Sequence, residues 1–214
     1  MSLWTDSRPT VLLTGFGPFP GVRRNASGSL VKWLAFKARI AMPHCRFVAA
    51  VLPTEWIRAP SALAELYNRH DPVLALHFGV ASNMRGFRIE TEARNFCRMS
   101  PDAAGSLPVL NCVLEDGAPA LPVTIDTKSI ARHLDGKGYS ATLSDDAGGY
   151  LCNAVLYHSL VKASERGGRC KVGFIHVPSD AKLRDIFGHA VPGAFEILKF
   201  AAEPSQPATA LTSV

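Results

Sequence analysis

Thr10-Val11-Leu12-Leu13-Thr14-Gly15-Phe16-Gly17-Pro18-Phe19-Pro20-Gly21 is the stretch that decides the fold. Residues 10–14 are an apolar run too short for a helix, and they run straight into a loop that glycine and proline fix tightly. A helical period follows over 27–40, where Leu30, Val31, Leu34 and Ala35 fall on one face. Strand, tight loop and helix in that order are the start of an α/β sheet, and the alternation continues along the chain. Further strands are predicted over 46–52, 73–78, 87–96, 139–143 and 171–177. Helices are predicted over 56–70, 127–134, 150–166 and 183–202, the last broken near Pro192-Gly193. The pattern gives an α/β fold whose sheet is covered on both faces.

The 214 residues suffice for one substantial core and contain no internal linker. A single domain over 10–202 is expected, preceded by a flexible stretch 1–9 and followed by a disordered tail 203–214 that carries Pro204 and Pro207. Residues 100–123, rich in Pro, Gly and Ala, read as a long surface excursion of the kind that often carries function.

A hydrophobic fraction of 47% with 19% charged residues is that of an ordinary globular protein, and the apolar runs are too short to span a bilayer. No membrane partner is expected. The first ten residues carry no secretory pattern, which predicts a cytoplasmic chain. The net charge of +5 is spread along the sequence without a nucleic-acid motif beside it, so nucleic acid is not an expected partner. Five cysteines, Cys45, Cys97, Cys112, Cys152 and Cys170, are an odd set without a C-x-x-C pair, which argues against a disulfide framework and a zinc site. At least one thiol is free.

Four segments place reactive or punctuating residues where strands end, which is where open α/β sheets bind ligands. In the loop 14–21, Phe16 and Phe19 are held where they can wall a slot for a flat ring, or else plug the core. The run lacks the endings of a phosphate or dinucleotide loop. In Ser144-Asp145-Asp146-Ala147-Gly148-Gly149-Tyr150-Leu151-Cys152-Asn153, the glycines open a helix and put Cys152 in its first turn. Free N–H groups and the positive dipole end favour a thiolate there and offer donors to an oxyanion. Taken alone, such a cysteine is also a common small core residue. Gly173-Phe174-Ile175-His176-Val177-Pro178 is an apolar strand with one histidine near its end, the best-placed base in the chain; His77, in another apolar strand, is its competitor. In Phe87-Arg88-Ile89-Glu90-Thr91-Glu92-Ala93-Arg94-Asn95, Glu90 and Glu92 share a face of the expected strand, so period alone does not choose between them. The bland alternative is an exposed face where Arg88 and Arg94 pair with the two glutamates. Together the four segments supply the nucleophile, base, orienting acid and aromatic slot of covalent hydrolysis.

These segments resemble, in order, those of the pyroglutamyl peptidase I (pyrrolidone-carboxylate peptidase) family. Thr14-Gly15-Phe16-x-Pro18-Phe19-x-Gly21 with Asn25 is similar to its opening signature, and Leu52-Pro53-Thr54 to the segment after its second strand. Ser144-x-x-Ala147-Gly148-x-Tyr150-Leu151-Cys152-Asn153 resembles its cysteine motif, and residues 173–178 resemble its histidine motif. The family's glutamate lies eleven residues after a glycine, with a small residue three further on and an asparagine five further on. Gly79, Glu90, Ala93 and Asn95 reproduce that spacing, so the resemblance gives the role to Glu90.

The resemblance implies a three-layer α/β/α domain with a central mixed sheet, of the phosphorylase/hydrolase-like kind. It also implies a cofactor-free, metal-free cysteine exopeptidase, assembled as a dimer or tetramer, that acts on N-terminally pyroglutamylated peptides through Cys152, His176 and Glu90. Phe16, Phe19, Tyr150 and the backbone around Val80 are then expected to hold the lactam, and Arg98 to take the place of the family's arginine near the oxyanion. The chain departs from the family pattern at Val80, at 82–85, at Thr91 and at 97–102. These departures motivate two alternatives, the same triad on another amide or lactam and a non-catalytic binding protein on this scaffold.

Overall fold

The computed structural model describes residues 6–179 and 182–203. The elements run β1 (Thr10–Phe16), α1 (Ala26–Ala41), β2 (Arg46–Leu52), α2 (Arg58–His70), β3 (Leu74–Ala81), β4 (Phe87–Glu90), β5 (Glu92–Arg94), β6 (Ala120–Pro122), α3 (Thr127–Gly136), β7 (Ala141–Ser144), α4 (Leu151–Glu165), β8 (Lys171–Pro178), α5 (Leu183–Asp185) and α6 (Val191–Ala202). The expected tail beyond Glu203 and the first five residues lie outside the described residues. Within the expected flexible stretch 1–9, the Pro9 carbonyl accepts the Arg46 N–H, and the Arg8 guanidinium donates to the Pro43 carbonyl.

Six strands form the central sheet in the order β2-β1-β3-β8-β4-β7. β2, β1, β3 and β8 are parallel, whereas β4 runs antiparallel to β8 and parallel to β7, so the sheet is mixed. All seven residues of β1, which lies inside the sheet, are buried, because helices cover both faces. One face packs on α1, α3 and α6 through Leu13, Leu76, Phe78, Ile89 and Ile175; the other packs on α2 and α4 through Leu12, Ala75, Val172 and Phe174. The expected three-layer α/β/α architecture is what the molecule adopts.

From β1 the chain crosses to β2 on one side, and from β2 to β3 on the other, so the order reverses between β1 and β3. Beyond the carboxyl ends of strands at such a reversal a crevice opens. The α4 side of the sheet supplies its walls.

Two sequence expectations are corrected. The strand expected over 87–96 is two strands: Thr91 donates both its N–H and its Oγ1–H to the Ser144 carbonyl, at 2.7 and 3.0 Å, and the chain leaves the main sheet there. β5 then pairs with β6, a short strand inside the long excursion read as irregular. The last helix is interrupted before Pro192, by a π-helical turn over Ile186–Ala190. Pro192 sits in the first turn of α6, where a missing N–H is tolerated.

Candidate active site

The site grows from the C-terminal ends of β1, β3 and β8 and the N-terminus of α4. Gly148, at φ +80°, makes the turn that precedes α4, a conformation glycine adopts without the Cβ penalty. Tyr150 is the N-cap but its side chain does not cap the helix, so the first backbone N–H groups of α4 have no side-chain acceptor. Cys152 follows in that turn.

Its thiol lies over Gly79 on β3. A Cβ added to Gly79 would come within 2.8 Å of Cys152 Sγ and of Phe174 Cζ, so only glycine leaves room for the sulfur. Gly79 is in register with His176 on β8, and paired positions project to the same side of a sheet. His176 therefore enters from the strand beside the sulfur. Its Nδ1 is 2.7 Å from Glu90 Oε1, in a buried pair that leaves Nε2 for the thiol. The antiparallel pairing of Arg88 with His176 puts Arg88 and Glu90 on this same face. Arg88 Nε donates to Glu90 Oε1 at 3.2 Å, while Glu90 Oε2 is buried without a partner among the described residues.

Burial first, and then the Glu90 charge, push the Cys152 thiol up to about 12; Arg88 and the residue's own backbone N–H pull the other way. The thiolate expected from the helix terminus is thus outweighed in the free site. The proton has to leave as the sulfur attacks, which makes the adjacent imidazole necessary.

The pocket is small, about 230 Å³, and below the size usual for drug-like ligands, so it suits one compact group. Phe16, Phe19 and Tyr150 form its aromatic walls, with Val80, Ala81, Thr54, Asn25 and Arg88 around them. Phe16 is buried; the Phe19 and Tyr150 rings lie 6.0 Å apart, and Trp56 supports Tyr150 edge-on at 5.2 Å. Thr54 Oγ1 and Asn25 Nδ2 both donate to the Gly17 carbonyl at 3.0 Å, which fixes the Phe-bearing loop.

Of the residues expected at the site, Cys152, His176, Phe16, Phe19, Tyr150 and Val80 line one pocket, and Glu90 lies beneath it. Arg98 does not join them: its N–H is held by the Gly149 carbonyl, its side chain is exposed, and the cation that lines the pocket is Arg88. Strand parity with Glu90 is the signal that could have found Arg88. His77 is resolved as a core residue, with Nδ1 at 2.7 Å from Thr14 Oγ1 and Nε2 at 2.7 Å from Ser159 Oγ. Glu92 is half-exposed and paired with Arg94 at 3.4 Å. All five cysteines are free, and burial pushes Cys45, Cys97 and Cys170 up as well. Among the described residues no cluster of His, Cys, Asp or Glu could hold a metal ion, and no helix is long and apolar enough to cross a membrane.

Two further side chains, to which the sequence alone gave no role, keep the parts in register. Asn153, next to the thiol, accepts from the Arg94 N–H and donates to the Arg94 and Phe96 carbonyls, tying α4 to the segment that follows Glu90. Buried Asp102 accepts from the N–H groups of Trp56, Ala104 and Ser106, which anchors the long excursion beside Trp56.

A thiol at a helix start, an imidazole–carboxylate pair and an enclosed pocket on an α/β/α sheet define the class: these are the parts of a cysteine hydrolase. Comparison with known proteins narrows it. The pyroglutamyl peptidase family model matches residues 9–187. Pyrrolidone-carboxylate peptidases of Yersinia pestis and Yersinia pseudotuberculosis are 34% identical over 170 residues, which cover 78% of this chain and 77% of theirs. The pyroglutamyl peptidase I of Bacillus amyloliquefaciens superposes with a TM-score of 0.81 at 27% identity, covering 91% of this chain and 97% of that one. A variant pyrrolidone carboxyl peptidase from the hyperthermophile Pyrococcus furiosus superposes at 0.80 and 27%, covering 90% and 97%. The chain belongs to the pyroglutamyl peptidase family.

Proposed function

We propose that this chain removes an N-terminal 5-oxoproline from peptides, with Cys152 as nucleophile, His176 as general base and acid, and Glu90 as the group that orients the imidazole. The observation that carries the roles is the buried 2.7 Å contact between His176 Nδ1 and Glu90 Oε1 at a pocket walled by Cys152 and three aromatic rings.

The lactam ring enters between Phe16, Phe19 and Tyr150. Cys152 Sγ attacks the carbonyl that joins 5-oxoproline to the next residue as His176 Nε2 takes the thiol proton, and Glu90 stabilises the imidazolium. The N–H groups at the start of α4 are the donors available to the oxyanion. His176 then gives the proton to the leaving amine, the C–N bond breaks, and a thioester remains. Water, deprotonated by His176, attacks the thioester; 5-oxoproline leaves and the thiol is restored. Specificity follows from charge, because a lactam has no ammonium group, and an ordinary N-terminus would lose its hydration in an apolar slot.

The family resemblance carries two further parts of the proposal, a cytosolic location and a dimer or tetramer. Exposed Trp33, Phe36 and Ile40 on α1, with Phe187 edge-on to Trp33 at 4.9 Å, offer an apolar face for self-association.

The test is release of a chromogenic amine from its 5-oxoprolyl, prolyl and alanyl amides by the reduced protein. Selective turnover of the first, abolished in Cys152→Ala and Cys152→Ser while the fold persists, is expected. Absence of turnover, or full activity in either variant, overturns the assignment.

A further inference from the structure

A second and larger cleft, of about 800 Å³, opens against the reaction pocket and shares Phe16 and Asn25 with it. Its walls carry Arg23, Arg24, Lys32 and Lys182. Arg23 and Arg24 end the loop that bears Phe16 and Phe19, Lys32 lies on the second turn of α1, and Lys182 follows β8. The loop before α1 and α1 itself thus meet Lys182, 150 residues further on, and put four cations around one concavity. None of the four has a carboxylate partner among the described residues. Asp185, the nearest described acid along the chain from Lys182, is turned to the Lys182 backbone N–H and to Arg184.

The first turn of α1 adds to the field. Ala26, Gly28 and Ser29 also line the cleft, and that turn contains no acidic residue, so the positive end of this 16-residue helix is capped by the neutral Asn25 amide and offset by no carboxylate of its own. By contrast Asp146, the described carboxylate on the wall of the reaction pocket, is within 3.7 Å of Arg94. The reaction pocket thus presents one cation, Arg88, and one carboxylate, Asp146, whereas the larger cleft presents four cations and no carboxylate among its described lining residues.

We infer that the basic cleft is the subsite for the chain that follows 5-oxoproline, and that it selects peptides carrying carboxylates there, as acidic side chains or as the C-terminus of a short peptide. The inference deepens the peptidase reading and rests on it. An acyl group seated in the aromatic slot leaves its peptide chain at the pocket mouth, and the shared wall of Phe16 and Asn25 leads from that mouth to the four cations. Exposed charge pairs act mainly by attraction over distance, so the preference belongs in kcat/KM and falls with salt.

The experiment compares 5-oxoprolyl tetrapeptides of equal length whose last two residues are Asp-Asp, Asn-Asn or Lys-Lys, each rate divided by that for a short 5-oxoprolyl amide without a peptide chain. At an ionic strength of about 0.01 M, where the Debye length is roughly 30 Å, the acidic peptide is expected to exceed the neutral one about tenfold, and the basic peptide to fall below it. At about 1 M, where that length is roughly 3 Å, the three should converge. In Arg23→Glu/Arg24→Glu the acidic preference should vanish or invert, and Lys32→Glu alone should reduce it. Binding of the labelled acidic and neutral peptides to Cys152→Ala gives the same comparison without turnover. If the short amide is hydrolysed but the peptides show no charge preference, or the preference survives charge reversal, the cleft assignment is overturned and the peptidase reading stands. If no 5-oxoprolyl substrate is hydrolysed, the peptidase reading falls and this inference falls with it.

Discussion

Gly79→Ala is the substitution that tests most directly whether the position of the Cys152 sulfur matters. The added methyl would meet Sγ and the buried Phe174 Cζ at 2.8 Å, closer than Cβ contacts in real proteins come, and Phe174 Cε1 at 3.0 Å. The ring lies in the core and yields little, whereas the sulfur terminates a flexible side chain and can swing aside. Displacement of the nucleophile is therefore the cheaper response. Overpacking of this kind costs about 1–3 kcal/mol, partly offset by about 0.4–1 kcal/mol from a stiffer unfolded chain. For a chain of this size each kcal/mol lowers the melting temperature by about 2–4 °C, so the variant should stay folded at room temperature. A misplacement of about 1 Å at a reacting centre costs on the order of 10²-fold. The expected result is a kcat for the 5-oxoprolyl amide reduced about a hundredfold, KM changed much less, and a melting temperature only a few degrees lower, read by circular dichroism on the same preparation. Wild-type turnover in the folded variant would refute the reasoning, because the sulfur would then not need the space that Gly79 leaves.

Three further predictions separate the roles of ionisable groups. Glu90→Gln keeps the shape but removes the carboxylate charge beside His176, and should lower kcat by about 10²–10⁴-fold, against little change for half-exposed Glu92→Gln; the reverse order would move the orienting role to Glu92. Arg88→Met removes a cation that favours the thiolate, so alkylation of Cys152 by iodoacetamide at neutral pH should slow several-fold, and an unchanged rate would show that Arg88 does not act on the sulfur. His77 is held neutral by burial, its pKa lowered to about 3. Between about pH 6.5 and pH 3 the unfolded chain binds a proton at this position that the folded chain refuses, so stability present at neutral pH is lost as pH falls through that window. In His77→Gln the acid side of the stability profile should flatten, measured by urea unfolding at several pH values, while folded protein keeps its turnover; loss of turnover without loss of stability would return His77 to the catalytic candidates.

Local sequence was enough for most of the elements and for the parts of the site. Apolar runs of strand length, helical periods and glycine-rich punctuation depend on neighbouring residues, so β1, β2, β3 and β8 and helices α1 to α4 were legible to within a few residues. Cys152 at a helix start and His176 near the end of an apolar strand were likewise visible as candidates, because each needs only its own segment to be recognised. What that reading left open was decided by contacts between residues far apart in the chain. The break at Thr91 depends on the Ser144 carbonyl, 53 positions away, and it separates Glu90, buried against His176, from Glu92, paired near the surface. Both histidines sit in apolar strands, and only Thr14 and Ser159 make His77 a satisfied core residue. Burial and the Glu90 charge, which a helix terminus in isolation does not predict, raise the Cys152 thiol. Arg23, Arg24 and Lys32 are close in sequence, but the fold adds Lys182 to them and gives the four a common cleft. Sequence by itself determined which residues could form strands, helices and a reactive set. The tertiary structure decided which of them meet and how much water they keep, because distances and desolvation between remote segments exist only once the chain has folded.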